Sequence, residues 1–131
     1  MALDLEVQKQ EFLTLCRAGI QRDGLEDLLE WLQKADFFTA PASTRFHGAY
    51  AGGLCEHSLD VYRMAIKAAA AYDLVFDNES LLIATLFHDL CKVNFYKVDK
   101  RNQKVNGVWV EVPYYAVDEK YSVHPCFAAE I

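Results

Sequence analysis

The sequence predicts a mainly α fold, a helical bundle closed by a β-hairpin. Through residue 92, apolar side chains recur at three- and four-residue steps, the period of helices with one buried face. Beyond it, Val108, Val110 and Val112 alternate with Trp109 and Glu111, the period of a half-buried strand. Asn106-Gly107 stands just before that strand, and this pair favours a two-residue hairpin turn.

The elements follow in order. Residues from about 4 to 20 read as a first helix with Phe12, Leu15, Cys16 and Ile20 inward. Asp23 is a candidate cap for the second helix, with Glu26 three residues on. Leu25, Leu28, Leu29 and Leu32 form its apolar stripe. Residues 36–45, with Pro41, Ala42 and Ser43, read as a loop. A third helix spans about 54–72, its stripe drawn through Leu54, His57, Val61, Met64, Ala65 and Ala68. A fourth spans about 79–92, capped by Asp77 or Asn78, with Leu81, Ala84, His88 and Cys91 inward. The stretch NFYKVDK then pairs with the valine strand, and Pro113 marks a strand end or an edge.

Composition narrows the function. The 131 residues suffice for one domain with a core, and 53% hydrophobic with 24% charged is ordinary for a globular protein. A formal net charge of −6 argues against a surface built for a nucleic-acid backbone. One local basic run exists (Lys92, Lys97, Lys100, Arg101 and Lys104), read as a solvated hairpin face beside the fourth helix. No apolar run approaches a membrane span and the N-terminus has no secretory pattern. Four scattered cysteines fit reduced thiols, and the expectation is a cytoplasmic protein with no membrane partner.

The chemistry concentrates in three residues. His57, on the third helix, lies 31 positions before His88, and Asp89 follows directly. Antiparallel packing of the third and fourth helices brings them together. A buried imidazole and carboxylate are costly unless something satisfies them, and a divalent metal does so. Lys92, one turn on, is placed to hold a phosphate as a point charge. Asp60, one turn from His57, reads as a solvent-facing or supporting carboxylate. A rival set, Cys55, His57, His88 and Cys91, has the donor types of a structural zinc site. Cys55 and His57 are two apart, though, and point to nearly opposite sides of a helix.

The stretches GGLCEHSLDVYRMA and LLIATLFHDLCK together resemble the HD-domain metal-dependent phosphohydrolase superfamily. Gly52, Gly53, Leu54, Glu56, His57 and Ser58 reproduce the usual context of its first histidine, and Phe87, His88, Asp89 and Lys92 that of its His-Asp pair. The resemblance covers about residues 45–95. It implies a single HD-like domain over 1–131, with N-terminal helices 1–40, a metal-site core 45–95, and a hairpin and tail 96–131. His57, His88 and Asp89 are then the metal ligands, with Asp89 and Lys92 catalytic and Lys92 on the substrate phosphate. His47 and His124 are candidates for a second metal or for the substrate. The implied cofactor is one or two divalent ions among Mn, Fe, Ni, Co, Mg and Zn. The implied substrate is a small phosphorylated molecule, a nucleotide or short oligonucleotide, cleaved as a phosphomonoester or phosphodiester. The family's fourth ligand is an Asp on a late helix, and the later acidic residues Asp99, Glu111, Asp118, Glu119 and Glu130 lie in no helical pattern. On that ground the chain reads as a shortened form of a longer domain, with a homodimer as one way to cover an open apolar side. The alternative reading is a non-catalytic metal- or nucleotide-binding module with an incomplete site.

Overall fold

The computed structural model describes residues 4–45 and 48–118. His47, Glu119, His124 and Glu130 lie outside the described residues. Four helices, α1 (Leu5–Gly19), α2 (Leu25–Lys34), α3 (Gly53–Ala71) and α4 (Asn78–Leu86), precede a 3-10 turn at Leu90–Lys92. An antiparallel hairpin of β1 (Tyr96–Val105) and β2 (Val108–Val117) follows. The predicted helical region with a hairpin after the His-Asp pair is therefore present.

Local chemistry sets most boundaries. Asp4 accepts from the Val7 amide and starts α1. Asp77 does the same for α4, accepting from both the amide and the hydroxyl of Ser80. At α2 the expected Asp23 cap is not used: Gly24 is the N-cap, without a side-chain hydrogen bond, and Glu26 instead pairs with Arg17 across to α1. At the hairpin tip Asn106 and Gly107 both have positive φ, 51° and 81°, as a primed two-residue turn requires.

Phe12, Leu29, Leu32, Phe37, Leu54, Leu82 and Leu86 are fully or almost fully buried and form one core. Phe12 packs against Phe37, Phe38 and Phe87 with ring centroids 4.9–6.1 Å apart. α1 touches each of the other three helices, and α3 and α4 pack on each other.

Three expected faces are corrected. In α3 the buried residues are Leu54, Cys55, Ser58 and Leu59, while Met64 is 69% exposed. The core covers only the first two turns, so the outer half of the stripe has nothing described above it. α4 ends at Leu86, six residues early, and its buried residues are Leu82, Thr85 and Leu86, with Ala84 exposed. The hairpin is not half-buried: Val108 and Trp109 are 62% and 68% exposed, because its outer part reaches beyond the helices. Pro113 lies within β2 opposite Lys100, tolerated because a two-stranded sheet consists of edges.

Cys16 and Cys55 are free and buried, and burial pushes the Cys16 thiol up to about 12. Cys91 is disulfide-bonded, which corrects the reading of four reduced thiols. Among the described residues no helix is long and apolar enough to cross a membrane.

Several surface carboxylates tie the helices together. The Asp77 carboxyl is held below its usual range by the Ser80 hydroxyl and then the Ser80 amide. Glu79 is lowered by the Gln21 amide and then Arg22. A carboxyl lowered in the folded state stabilises fully above its unfolded pKa of about 4, and this is lost as pH falls through the folded value. Replacement of Asp77 by Ala is therefore expected to lower Tm at neutral pH and to flatten the acid arm of the profile. Thermal melts between about pH 6 and pH 2.5 check this.

Candidate metal centre

The first turn of α3 is fixed by backbone contacts to the preceding loop. The Gly52 amide donates to the Thr39 carbonyl and the Leu54 amide to the Ala40 carbonyl, each at 3.0 Å. The Gln8 side chain donates to the Gly52 carbonyl at 2.9 Å and joins this corner to α1. Gly53 lies against Gly48 so closely that a Cβ there would stand 2.0 Å from the Gly48 oxygen. His57 is carried one turn beyond this corner. Tyr50 hydrogen-bonds Glu56 beside it, which with burial pushes the tyrosine hydroxyl up to about 12.

His88 and Asp89 arrive from α4 by a different device. In a longer helix the Thr85 carbonyl would accept from the amide of residue 89. Here it lies 2.6 Å from His88 Nδ1. A carbonyl only accepts, so Nδ1 carries the proton, and in the neutral ring Nε2 is left with its lone pair. The helix stops, and His88 and Asp89 project toward the same point. Regular helical neighbours would diverge by about 100°.

The result is a compact donor triangle. His57 Nε2 and His88 Nε2 are 3.3 Å apart. Asp89 Oδ2 is 3.6 Å from the first and 3.3 Å from the second. A point equidistant from all three lies about 2.0 Å from each, which matches nitrogen and oxygen ligands of a first-row divalent ion. The side chains of His57 and His88 are 29% and 31% exposed and that of Asp89 is 13% exposed, so the triangle opens on one side to solvent. Among the described residues this is the one group of three or more His, Cys, Asp or Glu side chains spaced to hold a metal.

Lys92 completes the surroundings. Its Nζ is 3.3 Å from Asp89 Oδ2 and donates to the Ala42 carbonyl at 2.9 Å. Tyr96 donates to the same carbonyl at 3.1 Å. Burial, and then the Asp89 charge, push the Tyr96 hydroxyl up to about 12, so it stays a donor.

All four described candidates thus meet at one place, while His47 and His124 lie outside the described residues. The rival zinc set does not form. Cys55 is fully buried in the core with its thiol pushed up by that burial, and Cys91 is disulfide-bonded. Asp60 pairs with Arg63 at 3.0 Å, outside the triangle. Asp99 faces Lys97 and Glu111 faces Lys100 on the hairpin, so neither joins it as a late ligand. Sequence reasoning missed Thr85, three residues before His88, and the Ala42 carbonyl. Spacing signals the first, whereas a backbone carbonyl has no residue signature.

A family model described as HD domain matches residues 54–119. A dihydroneopterin 2',3'-cyclic phosphate phosphodiesterase from Methanocaldococcus jannaschii is 35% identical over 57 residues, covering 40% of this chain. The alignment spans 23% of that relative's length. No solved structure matches the chain.

Proposed function

Because the chain belongs to the HD-domain family, we propose that it is a metal-dependent phosphohydrolase acting on a small phosphorylated molecule of the nucleotide type. The observation that carries this reading is the convergence of His57 Nε2, His88 Nε2 and Asp89 Oδ2 at 3.3–3.6 Å beside the Lys92 ammonium. The named activity of the relative, a phosphodiesterase on a heterocyclic phosphate, supports the same class.

His57, His88 and Asp89 would hold a divalent ion, and three protein ligands leave positions for water and substrate, as in catalytic sites. When bound, such an ion lowers the pKa of a coordinated water and polarises a phosphoryl oxygen. The Thr85 carbonyl keeps the His88 proton on Nδ1, which holds Nε2 ready as a donor atom. Asp89 supplies the negative charge of the set and orients Lys92. An ammonium has three N–H donors, and the Asp89 and Ala42 contacts use two. The third serves the substrate phosphate.

One observation favours the second reading, a module that binds metal or nucleotide without turnover. Among the described residues the ligand set stops at three, with no late Asp. The two readings separate in one experiment. Purified protein is analysed for metals, reconstituted with Mn or Ni, and assayed on bis-p-nitrophenyl phosphate and p-nitrophenyl phosphate. The phosphohydrolase reading expects about one equivalent of metal, a rise in Tm by mass action and metal-dependent release of nitrophenol. Metal without turnover of any nucleotide or nitrophenyl ester leaves the binding module. No metal after reconstitution rejects both metal readings.

A further inference from the structure

A cleft opens against the inner part of the hairpin, lined by Thr44 and Arg45 on one side and by β1 and β2 on the other. Its volume is about 760 Å³, within the range of small-molecule sites, and it runs between Thr44, Arg45 and Ala49 and the hairpin. Among the described residues two arginines, Arg45 and Arg101, line it and no carboxylate does. That composition is notable in a chain with 19 acidic and 13 basic residues. The neighbouring hairpin hollow, by contrast, contains Asp99 and Glu111.

The rest of the lining is apolar and aromatic. Val98 stands opposite Tyr115 in the hairpin register, and Pro113 continues this wall along β2. The Arg101 guanidinium lies 5.1 Å from the Tyr114 ring centroid, a cation–π contact that holds it at the cleft. Guanidinium groups offer planar paired donors to phosphate, and tyrosine rings and proline offer flat apolar surface.

The cleft is tied to the proposed site through one residue. The Ala42 carbonyl receives both Lys92 Nζ and Tyr96 OH, and Lys92 is 3.3 Å from Asp89. Thr44, on the cleft wall, follows Ala42 by two residues, at most about 7 Å of chain.

We propose that this cleft is the specificity subsite of the enzyme, taking a nucleotide unit whose ring lies on the Val98–Pro113–Tyr115 wall and whose phosphate meets Arg45 and Arg101. This rests on the phosphohydrolase reading, because the unit bound there is the part of the substrate beyond the ester that is cleaved. Arg45 and Arg101 are then specificity residues, distinct from the ligand set.

The test is equilibrium binding by calorimetry to the full chain in excess chelator, so that no metal takes part. The probes are adenosine 5'-monophosphate, adenosine and ribose 5-phosphate. The mononucleotide is expected to bind wild type and to bind Arg45→Ala and Arg101→Ala about tenfold more weakly. Asp60→Ala, which removes a carboxylate paired with Arg63 outside the triangle, is expected to match wild type. Adenosine, lacking the phosphate, and ribose 5-phosphate, lacking the ring, are expected to bind less well than the mononucleotide. Both arginines are exposed, so these variants are expected to fold. The proposal is overturned if the mononucleotide does not bind wild type, if both arginine variants bind it unchanged, or if ribose 5-phosphate binds as tightly. Failure of the phosphohydrolase reading appears elsewhere, as absent metal or absent ester hydrolysis in wild type.

Discussion

Asp89→Ala is expected to lower metal-dependent hydrolysis of bis-p-nitrophenyl phosphate by at least about 10³-fold and to remove bound metal. Asp89 Oδ2 lies within 3.6 Å of His57 Nε2, His88 Nε2 and Lys92 Nζ alike. Its loss removes the anionic member of the donor set and leaves two neutral nitrogens beside an ammonium, a poor place for a dication. The change is not expected to unfold the helices, because Asp89 lies past the end of α4 and outside the hydrophobic core. Far-UV circular dichroism should therefore match wild type while metal content and kcat fall. Asp60→Ala is the control: that carboxylate sits in the Arg63 pair, and near-wild-type hydrolysis is expected. A fully active Asp89→Ala protein would reject the assigned role of the triangle.

The parts of this site that were legible in the sequence are those where residue type carries the chemistry. His57, His88, Asp89 and Lys92 are recognisable as donors and a cation at definite spacings, and the structure brings them within contact distance. The hairpin was legible because Asn106-Gly107 has strong local preferences and its φ values follow them. The end of α4 was not legible. Cys91 continues the apolar rhythm, and no Gly or Pro interrupts it. What stops the helix is the His88 ring taking the Thr85 carbonyl, a competition that periodicity does not record. The α3 face was ambiguous for a different reason. Its segment is apolar on several sides, so a stripe through His57 and Met64 fits as well as the observed one through Cys55, Ser58 and Leu59. Alternating valines likewise identify a strand without saying whether another layer covers it. The Ala42 carbonyl, which seats Lys92 and Tyr96, is a backbone group whose position depends on the whole 36–53 loop.

That loop makes the second large prediction. Gly53→Ala is expected to lower Tm by on the order of 10 °C and to reduce metal-dependent hydrolysis, although Gly53 is not part of the triangle. The added methyl would stand 2.0 Å from the Gly48 oxygen, 2.8 Å from its carbonyl carbon and 3.0 Å from its Cα. All three are backbone atoms, so no rotamer change relieves the overlap. Gly48 has little room to retreat: its φ is +72°, and its carbonyl accepts from the Ala42 amide at 2.9 Å. Displacing it strains the segment whose Ala42 carbonyl seats Lys92, so a packing fault at the start of α3 reaches the ammonium proposed to bind phosphate. Gly107→Ala separates this close approach from a general cost of replacing glycine. Gly107 also has positive φ but nothing within 4 Å of the added atom, so its expected cost is only the backbone strain, about 1–2 kcal/mol. Thermal melts of both variants, with nitrophenyl ester assays on the folded fraction, decide the matter. A Gly53→Ala protein that melts no lower than Gly107→Ala would mean that α3 does not start against Gly48, and the route from the glycine corner through Ala42 to Lys92 would be lost with it.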